Sequence, residues 1–371
     1  MKIGLLGFGV VGRGVYELTR SRDDMQVVKV LRREDMQLPD AKTVRDIRDI
    51  VEDDSIDTVV ETMGGLHPAY DYVRAAIAAG KNVVTANKAM VCTFYDELLP
   101  LVAEKGVLFR CTAAVGGGIG WLSELERARR AQKILSVGGI MNGTCNYILD
   151  SMTRLGLGYD EALKQAQSLG YAEARPATDV EGIDTWHKLI LSANIAFGVS
   201  VEKEQVPVSG IDKIAACDVE QFTAHGYVCK LLSRAERDDS GIRAFVQPTL
   251  VKQGSLEAAV PLNYNLITFT GAASDRMSFY GQGAGRYPTA YNVVQDLVDI
   301  LAGKGFYAPY GGKTAVRNDV EMTYYVRGDK WPEEETAERW GEGVITGKVS
   351  VEAMHTWRKA HPNAFIAALA E

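Results

Sequence analysis

The stretch MKIGLLGFGVVGRGVYELTRS, residues 1–21, decides the fold class of this chain. Its first residues are apolar and typical of a buried strand, and its last residues are typical of a helix. Between them lies the pattern Gly7-x-Gly9-x-x-Gly12. In dinucleotide-binding folds the first glycine makes a tight turn, the second lets the backbone approach a pyrophosphate, and the third allows close helix–strand packing. The stretch therefore predicts a nucleotide site at the start of the chain.

Strand and helix patterns alternate through the remainder of the first third. Strands are predicted at MQVVKVLRR, IDTVVETMGG, NVVTANKAMV and VLFR, and the helices between them end at Gly80 and Gly106. This alternation predicts a parallel, doubly wound Rossmann sheet, in which ligands bind beyond the carboxyl ends of the strands. Glu61-Thr62, Asn87-Lys88 and the glycine-rich loop 116–118 are expected at such ends.

The end of the second strand bears on the choice of cofactor. NAD-selective folds usually place an acidic residue there to hold the ribose 2′-hydroxyl, whereas this chain has Arg32 and Arg33. A guanidinium suits a 2′-phosphate, so NADP(H) is favoured over NAD(H). The alternative is that these arginines are solvated and that Glu34 or Asp35 contacts the ribose, in which case NAD(H) is the cofactor.

A second informative stretch is GYAEARPATDVEGIDTWHK, residues 170–188. The helix that starts near Ile183 is apolar nearly all round, but Asp184 and Lys188 lie four residues apart on one of its faces. Such a pair is expected to open onto a cavity, where the lysine can exchange a proton with a carbonyl or hydroxyl oxygen. The carboxylates that precede it suit a cationic substrate group such as an amine. The alternative is a surface ion pair without chemistry.

Composition excludes several classes of function. The net charge of −7 and the absence of a run of basic residues argue against a nucleic-acid partner. No apolar run is long enough to predict a membrane span. The five cysteines are scattered without a CxxC pair, which favours reduced thiols and a cytoplasmic protein. The histidines lack the spacing of a transition-metal site.

The chain resembles the homoserine dehydrogenase family in seven motifs that occur in the family's order: GFGVVGRGV, VVETMGG, GKNVVTANKA, AVGGGIG, GIMNGTCNYIL, LGYAEARPATDVEGIDTWHKL and YGQGAGRYPTAYNVVQDL. The resemblance covers about residues 1 to 328. It implies NAD(P)H-dependent interconversion of L-aspartate 4-semialdehyde and L-homoserine on the route to threonine and methionine. It also implies a homodimer that binds a small amino-acid substrate.

The resemblance assigns roles residue by residue. Lys188 corresponds to the proton donor, Asp184 to the carboxylate that supports it, and Lys88 to a lysine beside cofactor and substrate. Glu173 and Asp179 correspond to substrate-holding acids. Together with the glycine pattern, the predicted cofactor-binding residues are Gly7, Phe8, Gly9, Val10, Val11, Gly12, Arg32, Thr62, Lys88, Gly170 and Gly283.

Three positions depart from the family pattern. The family usually has glutamate at position 112, where it binds a monovalent cation such as Na⁺ together with the carbonyls of the positions that match Val115, Gly117 and Ile119. Thr112 is a neutral and weaker ligand, which puts that site in doubt. Gly120 replaces a proline, and Cys145 replaces a threonine. A nucleophilic role for Cys145 is an alternative, although no histidine lies near it in the sequence to activate it.

The expected fold is α/β: a Rossmann domain at 1–130, completed by about 286–328, and an α+β catalytic and dimerisation domain at 131–285, an open sheet covered by helices. Residues 329–371 are expected to be an extension of unknown role, without a regulatory ACT domain, whose last segment is a helix packed on the Rossmann domain or on a partner subunit. Two further hypotheses are a divergent relative that acts on another small amino-aldehyde or amino-alcohol, and a non-catalytic cofactor sensor.

Overall fold

The computed structural model describes residues 1–305, 311–329 and 331–370. Its strands, in chain order, are β1 Lys2–Leu6, β2 Gln26–Leu31, β3 Lys42–Val44, β4 Thr58–Glu61, β5 Asn82–Thr85, β6 Phe109–Arg110, β7 Ile134–Ile140, β8 Ser200–Val201, β9 Tyr227–Asp238, β10 Gly241–Lys252, β11 Tyr264–Gly271, β12 Asp275–Gln282, β13 Lys313–Thr314, β14 Glu321–Arg327, β15 Thr336–Trp340, β16 Gly343–Ser350 and β17 Phe365–Leu369. Its α-helices are α1 Val10–Thr19, α2 Arg48–Val51, α3 Ala69–Ala78, α4 Lys88–Thr93, α5 Tyr95–Lys105, α6 Trp121–Ala131, α7 Gly143–Leu155, α8 Tyr159–Ser168, α9 Ala177–Val180, α10 Ile183–Phe197, α11 Ala216–Ala224, α12 Arg286–Leu301 and α13 Val351–Ala360. None of the helices in these residues has the length and hydropathy needed to cross a membrane.

The first compact unit comprises residues 1–131, 194–200 and 282–312. Its six strands follow the order β3-β2-β1-β4-β5-β6 and pair in parallel throughout. This is the strand order of dinucleotide-binding folds, so the predicted Rossmann sheet is confirmed. Helix α12 packs against α1, and both cover the same side of the core through apolar residues that include Val15, Val293 and Leu297.

One prediction within this unit was partly wrong. The segment NVVTANKAMV is a strand only as far as Thr85, and Lys88 begins helix α4. The Asn87 side chain caps that helix by accepting a hydrogen bond from the Met90 N–H at 3.1 Å. Asparagine is among the preferred N-cap residues, and here its cap outweighs the strand pattern of the preceding residues. Lys88 therefore projects from the first turn of a helix.

The second compact unit comprises residues 132–193, 201–281 and 313–371. Its sheet has the order β12-β11-β7-β9-β10-β17-β14-β16-β15. Strands β9 and β10 form a long antiparallel hairpin, in register from Gly241 opposite Asp238 to Lys252 opposite Tyr227. Helices α7 and α11 contact β9. The predicted α+β unit, an open sheet with helices on it, is confirmed.

The C-terminal part of the chain differs from the expectation. The segment that returns to the first unit ends at residue 312, and residues 313–371 belong to the second unit. Strand β17 lies between β10, to which it is parallel, and β14, to which it is antiparallel. Helix α13 contributes Met354 to a core that also contains Tyr324 and Ile366. The final residues are thus a central strand of this sheet, because their short apolar run is buried on both sides.

Candidate active site

The glycine turn after β1 has the geometry that a bound pyrophosphate requires. Gly7 has φ +90°, a conformation that favours glycine. A Cβ on Gly12 would lie 2.4 Å from the Gly7 carbonyl oxygen, so only glycine fits there. By contrast, a Cβ on Gly9 would meet no atom within 4 Å. The space in front of Gly9, at the positive N-terminus of α1, is therefore open to an anionic group.

The three residues within the glycine pattern take different environments. Phe8 is half-buried and packs edge-on against Tyr16, with ring centroids 5.6 Å apart. Val11 is half-buried, whereas the Val10 side chain is 65% exposed. Because these side chains are apolar, their contribution to a phosphate site would come from the backbone N–H groups of the turn.

A buried carboxylate holds the turn that follows β4. Glu61 has no solvent exposure, and it accepts hydrogen bonds from the Met63 N–H at 2.7 Å, the Gly64 N–H at 3.3 Å and the Thr85 hydroxyl. Burial raises the pKa of the Glu61 carboxyl. Next to it, the Thr62 hydroxyl donates to the carbonyl oxygens of β1 and the glycine turn, each at 3.2 Å.

The turn after β5 is hydrogen-bonded to the turn after β4. The Asn87 side-chain amide donates to the Gly65 carbonyl at 2.7 Å while its oxygen caps α4. Lys88 follows directly and is half-buried. The structure therefore brings Thr62, Lys88 and the glycine turn to the carboxyl edge of one parallel sheet, where nucleotides bind in this architecture.

Arg32 lies just past the end of β2, and its neighbour Arg33 is exposed. The Arg32 Nη1 atom is buried and has no hydrogen-bond partner within the described residues. Its Nη2 atom lies 3.8 Å from the Glu34 carboxylate, which is a long ion pair. A buried donor without an acceptor is costly unless a ligand supplies one, so this guanidinium is available to an anion.

The second group of predicted residues lies in the second unit. Lys188 and Asp184 are both buried, and Lys188 Nζ lies 2.8 Å from Asp184 Oδ2. The same ammonium donates to the Met141 carbonyl at 2.7 Å. Helix α10 thus presents a charged pair on an otherwise apolar face, as the i, i+4 spacing predicts.

Asn142 connects this pair to a further acid. Its Nδ2 donates to Asp184 Oδ2 at 2.8 Å and to Asp179 Oδ1 at 2.7 Å. The Thr144 hydroxyl lies 3.4 Å from the other Asp179 oxygen. One amide therefore holds two carboxylates in place, and it lowers the electrostatic cost of their proximity because both of its N–H groups are donors.

The remaining predicted residues of this group lie nearer the surface. Glu173 is exposed, in the coil between α8 and α9. Gly170 is exposed too and has φ +75°. The structure brings Asp179, Asp184 and Lys188 together through Asn142, whereas Glu173 and Gly170 lie at the surface in the coil between α8 and α9.

Cys145 is fully buried in the first turn of α7, and its thiol lies 3.1 Å from the Asp179 carbonyl oxygen. Burial raises the pKa of this thiol well above its usual value, with the carboxylates of Asp179 and Asp184 acting in the same direction. A thiol in this environment stays protonated and is a poor nucleophile. The surroundings of Cys145 therefore argue against the thiol alternative.

The loop of residues 115–120 follows a short 3₁₀ turn, Thr112–Ala114, in the first unit. Val115, Gly117 and Ile119 are buried in it. Gly117 packs directly on the backbone of Gly283, because a Cβ on Gly117 would lie 2.5 Å from the Gly283 carbonyl carbon. The structure thus joins the glycine-rich loop to the predicted cofactor contact at Gly283.

Two residues of these networks, Glu61 and Asn142, were not given roles from the sequence. Asn142 precedes Gly143 at the start of α7, and asparagine at a helix start is an N-cap signal. That signal predicts the cap, which Asn142 makes with the Cys145 N–H at 2.8 Å, but not the bonds to two acids far along the chain. Glu61 stands at a strand end, where a carboxylate could equally be a ligand-binding group.

Comparison with known proteins agrees with this arrangement. The sequence profile "Homoserine dehydrogenase, NAD binding domain" matches residues 7–111, and the profile "Homoserine dehydrogenase" matches residues 121–298. The homoserine dehydrogenase of Bacillus subtilis is 36% identical over 315 residues, which cover 81% of this chain and 73% of that protein. The Synechocystis enzyme is 38% identical over 317 residues, with the same two shares.

Solved structures lead to the same family. The homoserine dehydrogenase of Thiobacillus denitrificans superimposes with a TM-score of 0.87 at 31% identity, covering 100% of this chain and 98% of that one. The S. aureus homoserine dehydrogenase at pH 7.5 gives a TM-score of 0.78 at 26% identity, with the same coverage. The profiles, relatives and structures all agree, and the chain belongs to the homoserine dehydrogenase family of NAD(P)-dependent oxidoreductases.

Proposed function

We propose that this protein interconverts L-aspartate 4-semialdehyde and L-homoserine, with Lys188 as the proton donor to the aldehyde oxygen. The observation that carries the proposal is the buried ammonium of Lys188, fixed between Asp184 Oδ2 at 2.8 Å and the Met141 carbonyl at 2.7 Å. Burial of a charged pair costs desolvation energy, so the presence of this pair at the start of an apolar helix indicates a chemical role.

Reduction of the aldehyde needs a hydride at carbon and a proton at oxygen. The nicotinamide of the bound cofactor supplies the hydride. In the described part of the chain, Lys188 Nζ uses two of its three N–H groups on Asp184 and Met141. The third N–H is available to the carbonyl oxygen of the substrate. As the hydride arrives, that N–H bond breaks, the oxygen becomes the hydroxyl of homoserine, and the amine regains a proton from solvent.

Asp184 has two tasks in this scheme. Its carboxylate orients the ammonium, and its negative charge stabilises the positive charge of Lys188 in the buried site. Asn142 supports both tasks, because its Nδ2 donates a hydrogen bond to Asp184 Oδ2, the same oxygen that contacts Lys188. In the oxidative direction the same pair would receive the proton that homoserine loses.

The amino group of the substrate would meet carboxylates. Asp179 is half-buried and held by Asn142, which suits a fixed contact with an ammonium group. Glu173 is exposed, so its proposed role in substrate binding requires the coil between α8 and α9 to close on the ligand. Gly170 belongs to the same coil.

The proposed cofactor is NADP(H) in preference to NAD(H). The unpartnered Nη1 of Arg32 at the end of β2 supports this preference, because a 2′-phosphate would supply the missing acceptor. The turn at Gly7–Gly12 would hold the pyrophosphate, and Thr62 and Lys88 lie at the same edge of the sheet. Gly283 would contact the cofactor through its backbone.

The proposal extends to the setting of the enzyme. Homoserine made by this reaction would serve the synthesis of threonine and methionine. The free cysteines of the described chain suit the reducing cytoplasm. By resemblance to its family, the protein is proposed to act as a homodimer.

A single kinetic experiment tests substrate and cofactor together. The rate of aspartate semialdehyde reduction is measured with NADPH and with NADH, and the rate of homoserine oxidation with both oxidised cofactors. We expect turnover in both directions and a higher kcat/KM with NADPH. Binding of NADPH without turnover of either substrate would contradict the proposed reaction and favour a relative with a different amino-aldehyde or amino-alcohol as substrate.

A further inference from the structure

The loop of residues 115–120 contains an interaction that the family resemblance does not lead one to expect. Asn292, in α12, is buried, and its side-chain nitrogen donates hydrogen bonds to the carbonyl oxygens of Gly117 and of Ile119, the latter at 3.1 Å. These are two of the three carbonyls that the resemblance assigns to a monovalent cation. The nitrogen must be the atom that faces them, because two acceptors require a donor between them.

The Thr112 side chain also makes hydrogen bonds to other residues. The Thr112 hydroxyl bonds to Asp296 Oδ1 at 2.6 Å and lies 2.7 Å from the Ser123 hydroxyl. Its backbone N–H donates to the other oxygen of Asp296 at 2.8 Å. A neutral side chain whose hydroxyl is already hydrogen-bonded therefore stands where the family has its anionic ligand.

A fixed positive charge occupies the same neighbourhood. Arg110 is buried, with its Nε 2.8 Å from Asp296 Oδ1 and its Nη2 2.8 Å from Asp299. The buried Asp296 carboxylate that Thr112 contacts is therefore already paired with a guanidinium, which leaves it less able to bind a second cation. The residues present here thus do not fit an alkali cation: two of its three carbonyl ligands accept hydrogen bonds from Asn292, a threonine stands at the position of its anionic ligand, and the nearby Asp296 carboxylate is bound to Arg110 and Thr112.

The loop of residues 115–120 supports the backbone at Gln282 and Gly283, where a cofactor contact is predicted. The Gly118 N–H donates to the Gln282 carbonyl at 3.1 Å, and Gly117 packs on the backbone of Gly283. Whatever fixes the carbonyls of Gly117 and Ile119 therefore also positions the segment that begins at Gln282. A hydrogen-bonding amide can do so with two acceptors, whereas an alkali cation needs a fuller set of oxygens.

We propose that the Asn292 amide replaces the monovalent cation in this chain, so that Asn292 acts as a positioning residue and the enzyme works without Na⁺ or K⁺. This inference rests on the proposed function only for its kinetic readout. The role of Asn292 in the loop is independent of which substrate is turned over.

The test compares the wild type with Asn292→Asp, which keeps the size of the side chain and replaces both N–H donors by an acceptor. Homoserine oxidation and the melting temperature are measured in NaCl, KCl and choline chloride at one ionic strength. For the wild type we expect the same kcat/KM and the same Tm in all three salts. For Asn292→Asp we expect kcat/KM in choline lower by about tenfold or more, since buried acceptors lose their donor, with recovery in NaCl or KCl and a matching rise in Tm.

Asn318→Asp serves as the matched control, because Asn318 is also buried and also donates to a backbone carbonyl, that of Gln205 at 3.3 Å. This variant should lose stability in all three salts alike.

Saturable activation of the wild type by NaCl or KCl, with a rise in Tm, would overturn the proposal, and so would an Asn292→Asp enzyme that no cation restores. If Asn292→Asp does not fold, the wild-type salt series alone decides. A wild type that binds NADPH but does not oxidise homoserine contradicts the proposed function, while the Tm series still tests Asn292.

Discussion

Replacement of Asp184 by asparagine changes one charge in a buried pair and leaves the shape of the site in place. At a separation of 2.8 Å, and with an effective dielectric constant of about 20, the direct attraction between Lys188 and Asp184 is about 6 kcal/mol. Desolvation of both groups offsets part of this energy. Removal of one partner leaves the other charge buried and uncompensated, and we expect Asp184→Asn to lower the free energy of unfolding by about 3–5 kcal/mol.

Urea-induced unfolding, followed by tryptophan fluorescence, measures this change. Trp186 lies in the same turn of α10 and donates to the Val206 carbonyl at 2.9 Å, so its emission reports on this helix. The double variant Asp184→Asn, Lys188→Met removes both charges. We expect it to be more stable than the sum of the two single changes predicts, with a coupling of about 3 kcal/mol or more, because no buried charge is left unpaired. Its turnover should nevertheless stay lost, because it has no proton donor.

The outcome that refutes this reasoning is clear. If Asp184→Asn unfolds at the wild-type urea concentration and the two changes combine additively, Lys188 and Asp184 are solvated and their contact contributes little. Recovery of turnover in the double variant would show in addition that the proton comes from another group.

Three further predictions concern the cofactor and the buried thiol. Arg32→Ala should raise the KM for NADPH by about tenfold or more and leave the KM for NADH nearly unchanged, since a charge-assisted bond to the 2′-phosphate is lost. Steady-state kinetics with both cofactors measures the two KM values. An equal rise in both KM values would count against the role of Arg32. Gly12→Ala should abolish NADPH binding in a fluorescence titration, because its Cβ would lie 2.4 Å from the Gly7 carbonyl oxygen; normal affinity would contradict the proposed turn. Cys145→Ala should keep kcat near the wild-type value in the same steady-state assay. A large fall in kcat would instead support the alternative in which the Cys145 thiol is a nucleophile.

The first unit was largely predictable from the sequence because its signals are local. The glycine pattern, the alternation of strands and helices, and Gly106 in the left-handed conformation at the end of α5 all act within a few residues. The C-terminal strands were not predictable in the same way. β17 owes its position to pairing with β10, where Ala368 lies opposite Thr249, more than a hundred residues away along the chain. A short apolar run fits a helix as well as a strand until its partners are known.

The candidate site shows the same division. The Asp184–Lys188 pair follows from an i, i+4 spacing, which fixes the distance between two side chains on one helix. The bonds of Asn142 to Asp179 and Asp184, and of Asn292 to the loop at 115–120, join segments that are distant in sequence. No local pattern marks such a contact. Polar networks of this kind depend on tertiary packing, and they decide how the predicted residues are held.

The most direct test of the proposed mechanism is the rate of hydride transfer in Lys188→Ala, measured in a single turnover with saturating NADPH and aspartate semialdehyde. Lys164→Ala, a change to an exposed lysine of α8, serves as the control and should behave as wild type. We expect Lys188→Ala to be slower by about 100-fold or more, the usual contribution of a general acid, with unchanged affinity for NADPH. Hydride transfer at the wild-type rate in this variant would contradict the account.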